Sequence, residues 1–508
     1  MSVLLAAALA ASADELVITR GGRRIIDPDP STAVTNCSGW SYDPAPVAFE
    51  NDISNVYSTS GILRDPCSDA LPFGDEIWHG RRGANGVFTV QPAITRTSFR
   101  WMFGDAPIDP QTYIGRVASP SVIRTNDGRY FMAFVASVAD PAICGGVHTG
   151  QVCGICFDPY SYYVMYWAMS TDGTTWHVLS RGNPDPNIAL SYALLYRAPN
   201  GSDKTNGFYR GITRVRILYA DTYVWFLTEF AMGDSTKTIM LRAPFDGTTE
   251  FGITGPLEAW RPDLAQFQTV TNSILPEEFN DSGLESGFPP IVSISDFTQV
   301  EGQRFIGLIP SSSHIDYVLS NDLLSWTPPK PLRSAVPYFA DDRGYDGSVV
   351  DPTIVSDASG TVHLFMASDD GDSDHGIPAD GVRDCPSTPS YVGLGIYEGI
   401  VQFAPISATS VTIAPRANPV AAGLVTFDIR VTSANGSSPN GRVNVSAGTF
   451  STTADVNNGR ATVSALFTPG SYPLHATFTS FGPWASSNAD GQVTVVPGTP
   501  PKKRAVRH

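Results

Sequence analysis

Four carboxylates in this chain stand at or just before strand-like runs, where a side chain can be aimed rather than merely solvated. Asp43 lies in Tyr42-Asp43-Pro44-Ala45-Pro46, and Glu285 in Leu284-Glu285-Ser286-Gly287-Phe288-Pro289. Asp346 and Asp351 precede and open Asp351-Pro352-Thr353-Ile354-Val355. A pair of carboxylates can divide one reaction: the protonated member donates to a leaving oxygen while the ionised member activates water or attacks. Glu285 fits the donor, because Gly283 and Gly287 permit close approach of the backbone, and its partner is Asp351 or Asp43. Arg116, Arg210 and Arg214 stand at the openings of other strand-like runs; Tyr42 precedes Asp43 and Tyr209 precedes Arg210. Carboxylates on one side and guanidiniums on the other suit an acidic ligand, with the tyrosines stacking on it. The same residues also read as cross-channel salt bridges, and lone acids near strand starts read as turn caps.

Such residues act together only if distant segments converge, and a repeat supplies the means. Ser170-Thr171-Asp172-Gly173-Thr174-Thr175-Trp176 returns as Ser320-Asn321-Asp322-Leu323-Leu324-Ser325-Trp326, with Ser, Asp and Trp in register. Weaker copies lie at 242–251 and 82–88. Each follows a strand-like run and reads as a β-turn with an Asp or Asn cap, a residue of unusual φ and an aromatic beneath the next strand. Recurrence at such intervals indicates an all-β propeller blade. A four-strand cycle reads five times from Tyr42, starting at 46–49, 119–123, 213–219, 289–292 and 351–355. The last blade's closing strand is expected at 399–403. The tryptophans should wedge between neighbouring blades, and the blade openings should meet at one channel mouth.

The totals agree with this plan. In 508 residues, 16% are charged, with 46 Gly and 40 Pro, which favours many short strands over helical bundles. A net charge of −16 argues against nucleic acid as partner. The basic tail, 497–508, reads as a disordered end. Residues 1–13 combine an apolar run with an Ala-Ser-Ala pattern and read as an export signal, though without a basic n-region. No other run is long and apolar enough for a membrane span. The expected localisation is secreted or cell surface. Six cysteines (37, 67, 144, 153, 156, 385) fit disulfides in an exported chain, Cys37 with Cys67 being the simplest pair. Cys144, His148, Cys153 and Cys156 read alternatively as zinc ligands, but no metal or cofactor is assigned.

The expected organisation is an exposed lead-in at 14–39, a five-bladed β-propeller at 40–404 and an immunoglobulin-like β-sandwich at 405–496. In the last segment Val425, Phe427, Ile429 and Val431 alternate with polar residues. So do Val443 with Val445, Val463 with Ala465, Leu474 with Ala476 and Phe478, and Val493 with Val495. Turns fall at Asn435-Gly436, Asn440-Gly441 and Asn457-Asn458-Gly459. No cluster of acid, base and nucleophile is expected there. The segment resembles bacterial immunoglobulin-like modules, notably at Pro469–Ala476, which implies a spacer or adhesive appendage.

Asp351-Pro352-Thr353-Ile354-Val355, Ser119-Pro120-Ser121-Val122-Ile123 and the Ser-x-Asp-x-x-x-Trp turns resemble the five-bladed glycoside hydrolases. These include the arabinanase and β-xylosidase families and their levansucrase and invertase relatives. The resemblance implies an Asp base, a second, tuning Asp and a Glu acid from the starts of successive blades. Asp43 answers to the first, either as that Asp itself or as a residue two positions too early. Ser119 stands where the second is expected, and Tyr209-Arg210-Gly211-Ile212-Thr213 brings no Glu. The function expected is glycosidic-bond hydrolysis at the channel mouth by Glu285, Asp351 and Asp43. Asp346, Arg116, Arg210, Arg214, Tyr209 and Tyr42 would hold the carbohydrate. The alternative is a non-catalytic glycan-binding or adhesion protein that has lost its carboxylates.

Overall fold

A computed structural model describes residues 15–26, 39–47, 53–62, 75–84, 88–102, 113–125, 127–139, 162–178, 210–232, 235–246, 252–261, 264–269, 294, 296–300, 304–310, 315–334, 349–369, 394–480 and 482–497. They are nearly all strand. Their packing separates two compact units, one drawn from 21–331 and 342–400, the other from 1–20, 332–341 and 401–508.

Strand β1 spans Glu15–Ile26. The first meander follows: β2 (Gly39–Pro46), β3 (Asn55–Ile62), β4 (Glu76–Arg82) and β5 (Phe88–Ile94). A one-and-a-half-turn helix, α1 (Arg96–Trp101), begins at Thr95, whose hydroxyl accepts from the Ser98 amide. The second meander is β6 (Tyr113–Arg124), β7 (Tyr130–Ala139), β8 (Tyr162–Ser170) and β9 (His177–Val178). The third is β10 (Arg210–Ala220), β11 (Tyr223–Met232), β12 (Ser235–Pro244), β13 (Glu258–Arg261) and β14 (Gln266–Thr269). The fourth is β15 (Asp296–Val300), β16 (Arg304–Pro310), β17 (Ile315–Ser320) and β18 (Lys330–Pro331), followed by β19 (Arg333–Ser334). The fifth is β20 (Val349–Ser356), β21 (Val362–Asp369) and β22 (Leu394–Ala404), and β1 lies beside β22.

The first strands of these meanders touch in a cycle: β2 against β6, β6 against β10, β10 against β15, β15 against β20 and β20 against β2. Apolar clusters fill the spaces between neighbours. Tyr57, Phe134 and Trp176 lie in the one joining the first two meanders. Phe131, Trp167 and Phe226 serve the second and third, and Trp225, Phe305 and Trp326 the third and fourth. Both repeat tryptophans thus sit between meanders.

The repeated turn is the same in atomic detail at both strong copies. The Ser170 and Ser320 hydroxyls accept from the Gly173 and Leu323 amides at 2.9 and 2.8 Å. Asp172 Oδ1 accepts from the amides of Thr174 and Thr175, and Asp322 Oδ1 from those of Leu324 and Ser325. Gly173 and Leu323 both take positive φ, 74° and 64°.

Several expectations are corrected. The first meander opens at Gly39–Pro46 rather than at 46–49, because Asp43-Pro44 is a bulge within a strand and not a break. The lead-in at 14–39 is not simply exposed: β1 occupies 15–26 and buries Leu16, Val17, Ile18, Ile25 and Ile26. Residues 399–403 continue β22, and β1 takes the place expected for them. Pairing the two ends of a sheet sequence removes exposed edges, which a strand taken from the same run could not do. The start expected at 289–292 lies outside the described residues; so do all six cysteines, His148, residues 1–13 and the tail from 498.

In the other unit, β23 (Thr409–Pro415), β25 (Gly423–Ser433) and β28 (Arg460–Phe467) form one sheet. The second sheet runs β24 (Val420–Ala421), β30 (Ser487–Val496), β29 (Gly470–Ser480), β26 (Gly441–Ala447), β27 (Phe450–Val456). The alternating residues read from sequence are all buried, and both sheets share them as one core.

Candidate functional site

The first strands of the ring carry matching irregularities. Pairing shifts between Tyr42 and Ala45 in β2, between Ala118 and Ser121 in β6, and between Val350 and Thr353 in β20. Each shift encloses an X-Pro step: Asp43-Pro44, Ser119-Pro120 and Asp351-Pro352. Proline has no N–H to give a ladder, so a bulge accommodates it at little loss. Asp43 and Ser119 both take the left-handed region, at φ 48° and 51°. Such backbone is unfavourable for residues with a Cβ and persists where surrounding contacts hold it.

Those contacts centre on Asp43, which is 3% exposed. Its Oδ2 accepts from Ser119 Oγ at 2.8 Å and Thr59 Oγ1 at 3.3 Å. Thr59 Oγ1 in turn accepts from the Ser119 amide at 2.8 Å, so Ser119 is tied to Asp43 twice. Arg214 Nη2 donates to Asp43 Oδ1 at 3.2 Å. Behind it lies Arg216, 2% exposed, with Nη2 3.6 Å from the same oxygen and Nε 3.8 Å from Asp296 Oδ1. Arg216 Nη1 donates to the carbonyls of Pro120 and Val215 at 3.1 and 3.2 Å. Asp296 Oδ2 accepts from the Ile354 amide at 2.7 Å. Every first strand of the ring therefore contributes to one buried polar cluster.

Burial pushes the Asp296 carboxyl up to about 6, against the opposing pull of Arg216 and the hydrogen bond from Ile354. Burial also lowers the Arg216 guanidinium from its ordinary value, and the charge of Arg214 adds to that.

Neighbouring first strands are further stitched by side chains that accept backbone N–H groups. Ser121 Oγ accepts from Ile217 N at 2.9 Å, and Thr298 Oγ1 from Ser356 N at 3.1 Å. Asp296 to Ile354 is the charged version of this stitch.

Of the residues singled out in sequence, Asp43 and Arg214 meet directly. Asp351, Arg116, Arg210 and Tyr42 lie on first strands β20, β6, β10 and β2. Glu285, Asp346 and Tyr209 lie outside the described residues. Sequence reasoning missed Arg216 and Asp296. Arg216 stood two residues from Arg214, hence on the same strand face, and Asp296 lies four residues beyond the start read at 289–292.

Among the described residues no group of three or more His, Cys, Asp or Glu is arranged to hold a metal ion. In the two-sheet unit a histidine lies between an aspartate and a threonine. His475 Nδ1 lies 2.7 Å from Asp490 Oδ1, and its Nε2 3.1 Å from Thr477 Oγ1. All three are exposed on one sheet face, where water competes for each group.

No protein-family profile and no curated protein sequence matches the chain. Solved structures resemble it at low identity. A GH32 β-fructofuranosidase of Bombyx mori is 11% identical, with TM-score 0.39, covering 94% of this chain and 89% of its own. A xylan β-1,4-xylosidase of Bacillus halodurans is 9% identical, with TM-score 0.35, covering 93% and 92%. An exo-1,5-α-L-arabinanase from a bovine ruminal metagenomic library is 8% identical, with TM-score 0.36, covering 72% and 94%. No residue correspondence follows from likeness at this level.

Proposed function

We propose that the chain is a secreted, carbohydrate-active protein that hydrolyses glycosidic bonds at the mouth of a five-bladed propeller, followed by an immunoglobulin-like sandwich. The observation that carries this reading is the equivalence of the Asp43-Pro44 and Asp351-Pro352 steps. Both fall at register shifts of first strands that touch in the ring. Hydrolysis of a glycosidic bond needs a carboxylate as base or nucleophile beside a separate proton donor, and Asp43 or Asp351 would supply the former. Ser119, at the third such position, donates to Asp43. Arg214 lies beside it, suited to a hydroxyl or carboxylate of a sugar. Glu285 remains the proposed proton donor, with Asp346, Arg116, Arg210, Tyr209 and Tyr42 as proposed contacts to the carbohydrate.

One observation favours the second reading, a glycan-binding protein without turnover. Asp43 is already engaged by two guanidiniums and two hydroxyls, which leaves little of it for a substrate. The deciding experiment assays the full chain on aryl glycosides and polysaccharides beside a glycan-binding array, with Glu285→Gln and Asp351→Asn in parallel. Turnover that both substitutions abolish supports the hydrolase. Binding without turnover selects the second reading, and neither binding nor turnover defeats both.

A further inference from the structure

Arg216 reaches two X-Pro bulges directly and is linked to the third through Asp296. Its Nη1 holds the carbonyl of Pro120 in β6, and its Nη2 faces Asp43 in β2. Its Nε faces Asp296, whose second oxygen holds the Ile354 amide, two residues beyond Pro352 in β20. Nε and Nη2 form no hydrogen bond, since both carboxylates stand at ion-pair distance. Burying a guanidinium with two such nitrogens is unfavourable, and a buried ion pair often adds little to stability over an apolar replacement. An apolar residue could fill this space, but it could not link three strands by charge and hydrogen bond.

From this wiring we infer that Arg216 and Asp296 are the positioning core of the site, setting the Asp43-Pro44, Ser119-Pro120 and Asp351-Pro352 steps relative to one another across the ring. The inference rests on the hydrolase reading for its consequence in catalysis, but not for the positioning itself. Neither residue touches substrate; both act through the bulges. The raised Asp296 carboxyl adds a titration near pH 6 that the bulges should feel. The charged groups acting on Arg216 are Arg214, Asp43, Asp296 and Glu229, and those acting on Asp296 are Arg216 and Arg214.

The test uses the full chain carrying Asp296→Asn, Arg216→Met or Arg216→Lys. Amide hydrogen exchange is followed first, because it needs no substrate. Exchange in 39–46, 113–124 and 349–356 should accelerate together, by about ten-fold or more, in Asp296→Asn and Arg216→Met. It should stay unchanged at 409–496 and recover in part in Arg216→Lys. If Arg216→Met does not fold, Asp296→Asn, nearly the same shape, decides. On a glycoside that the wild type turns over, kcat should fall about ten-fold with KM within about three-fold. The inflection near pH 6 in kcat should vanish in Asp296→Asn. Exchange that rises only in β10 and β15, or evenly through the ring, overturns the inference, as does an unchanged kcat. If the three segments respond together while the wild type hydrolyses nothing, the positioning core stands and the hydrolase reading falls.

Discussion

Arg82 and Glu398, 316 positions apart, meet at 2.6 Å, joining the first meander to the last. His363 lies against the same carboxylate. Its Nδ1 is 3.2 Å from Glu398 Oε1, and its Nε2 is 3.2 Å from Asp357 Oδ2. Both ring nitrogens face carboxylates, so the doubly protonated imidazolium satisfies both, whereas the neutral ring turns a lone pair on one of them. Glu398 therefore bridges a permanent cation and a titrating one at the seam of the ring.

The pH dependence follows from that arrangement. Burial works against a charge on His363, but the hydrogen bonds and charges of Glu398 and Asp357 outweigh it and raise its pKa. A raised histidine contributes stability that is fully present below its unfolded value, about 6.5, and is lost as pH rises through the native one. Glu398 and Asp357 are held low despite burial, so their contributions disappear as pH falls through their native values. The melting temperature should decline as pH rises above about 6.5, and His363→Gln should flatten that decline. Equal slopes in the two proteins would refute the assignment. Glu398→Gln should cost about 3 kcal/mol, as for a buried pair losing one member.

Ile26 tests whether β1 is integral. It is 1% exposed and packs with Ile53, Val56, Phe88, Val355, Phe365 and Ile396, which come from the first and last meanders. Ile26→Ala should destabilise by about 2–5 kcal/mol in denaturant titration. Leu466, 79% exposed, gives the contrast: Leu466→Ala should stay within about 0.5 kcal/mol. An equally small effect at Ile26 would return residues 15–26 to the status of a lead-in.

At the repeated turn, Gly173 has φ 74°, and an added Cβ would stand 3.0 Å from the Tyr57 hydroxyl. That hydroxyl donates to the Gly173 carbonyl at 2.5 Å. Gly173→Ala should cost about 1–2 kcal/mol through backbone strain alone, and more if Tyr57 is displaced. Leu323 shows that a side chain can occupy this conformation when the core receives it. Leu323→Gly should therefore destabilise too, through loss of buried surface. Thermal unfolding of the two variants checks both signs.

Asp43 and Ser119 separate a charge from its support. Ser119→Ala removes one donor to Asp43 and should cost about 1–3 kcal/mol. Asp43→Asn leaves Arg214 and Arg216 without their shared carboxylate and should cost more, about 3–5 kcal/mol. Chemical unfolding of both variants and their double mutant checks the order. Strictly additive losses would mean that the Ser119–Asp43 contact carries no energy.

Local rules accounted for what lies within one strand or turn. Val425, Phe427, Ile429 and Val431 alternate in the sequence and are buried together, because a strand's side chains have a period of two whatever the strand pairs with. The turns at Ser170 and Ser320 were legible because each is closed by hydrogen bonds within four residues. The Asp-Pro and Ser-Pro steps were legible as strand openings, although their place as bulges inside longer strands depended on the partner strand. His475 and Thr477 sit two apart on one strand, but Asp490 joins them only through the register of β29 with β30.

Tertiary structure decided the rest, for a single physical reason: a charge is buried only where distant partners offset its desolvation. Arg216 in an apolar run reads locally as a residue for the surface. Asp43, 173 positions before it, and Asp296, 80 positions after it, bring it inside. Likewise Arg20 to Arg24 mark the middle of β1 as polar, while its buried ends depend on where β22 and β19 lie. Alternation and turn chemistry act over a few residues and are written in the sequence. The partners of Arg216 and the neighbours of β1 are set by which strands the closed ring brings side by side.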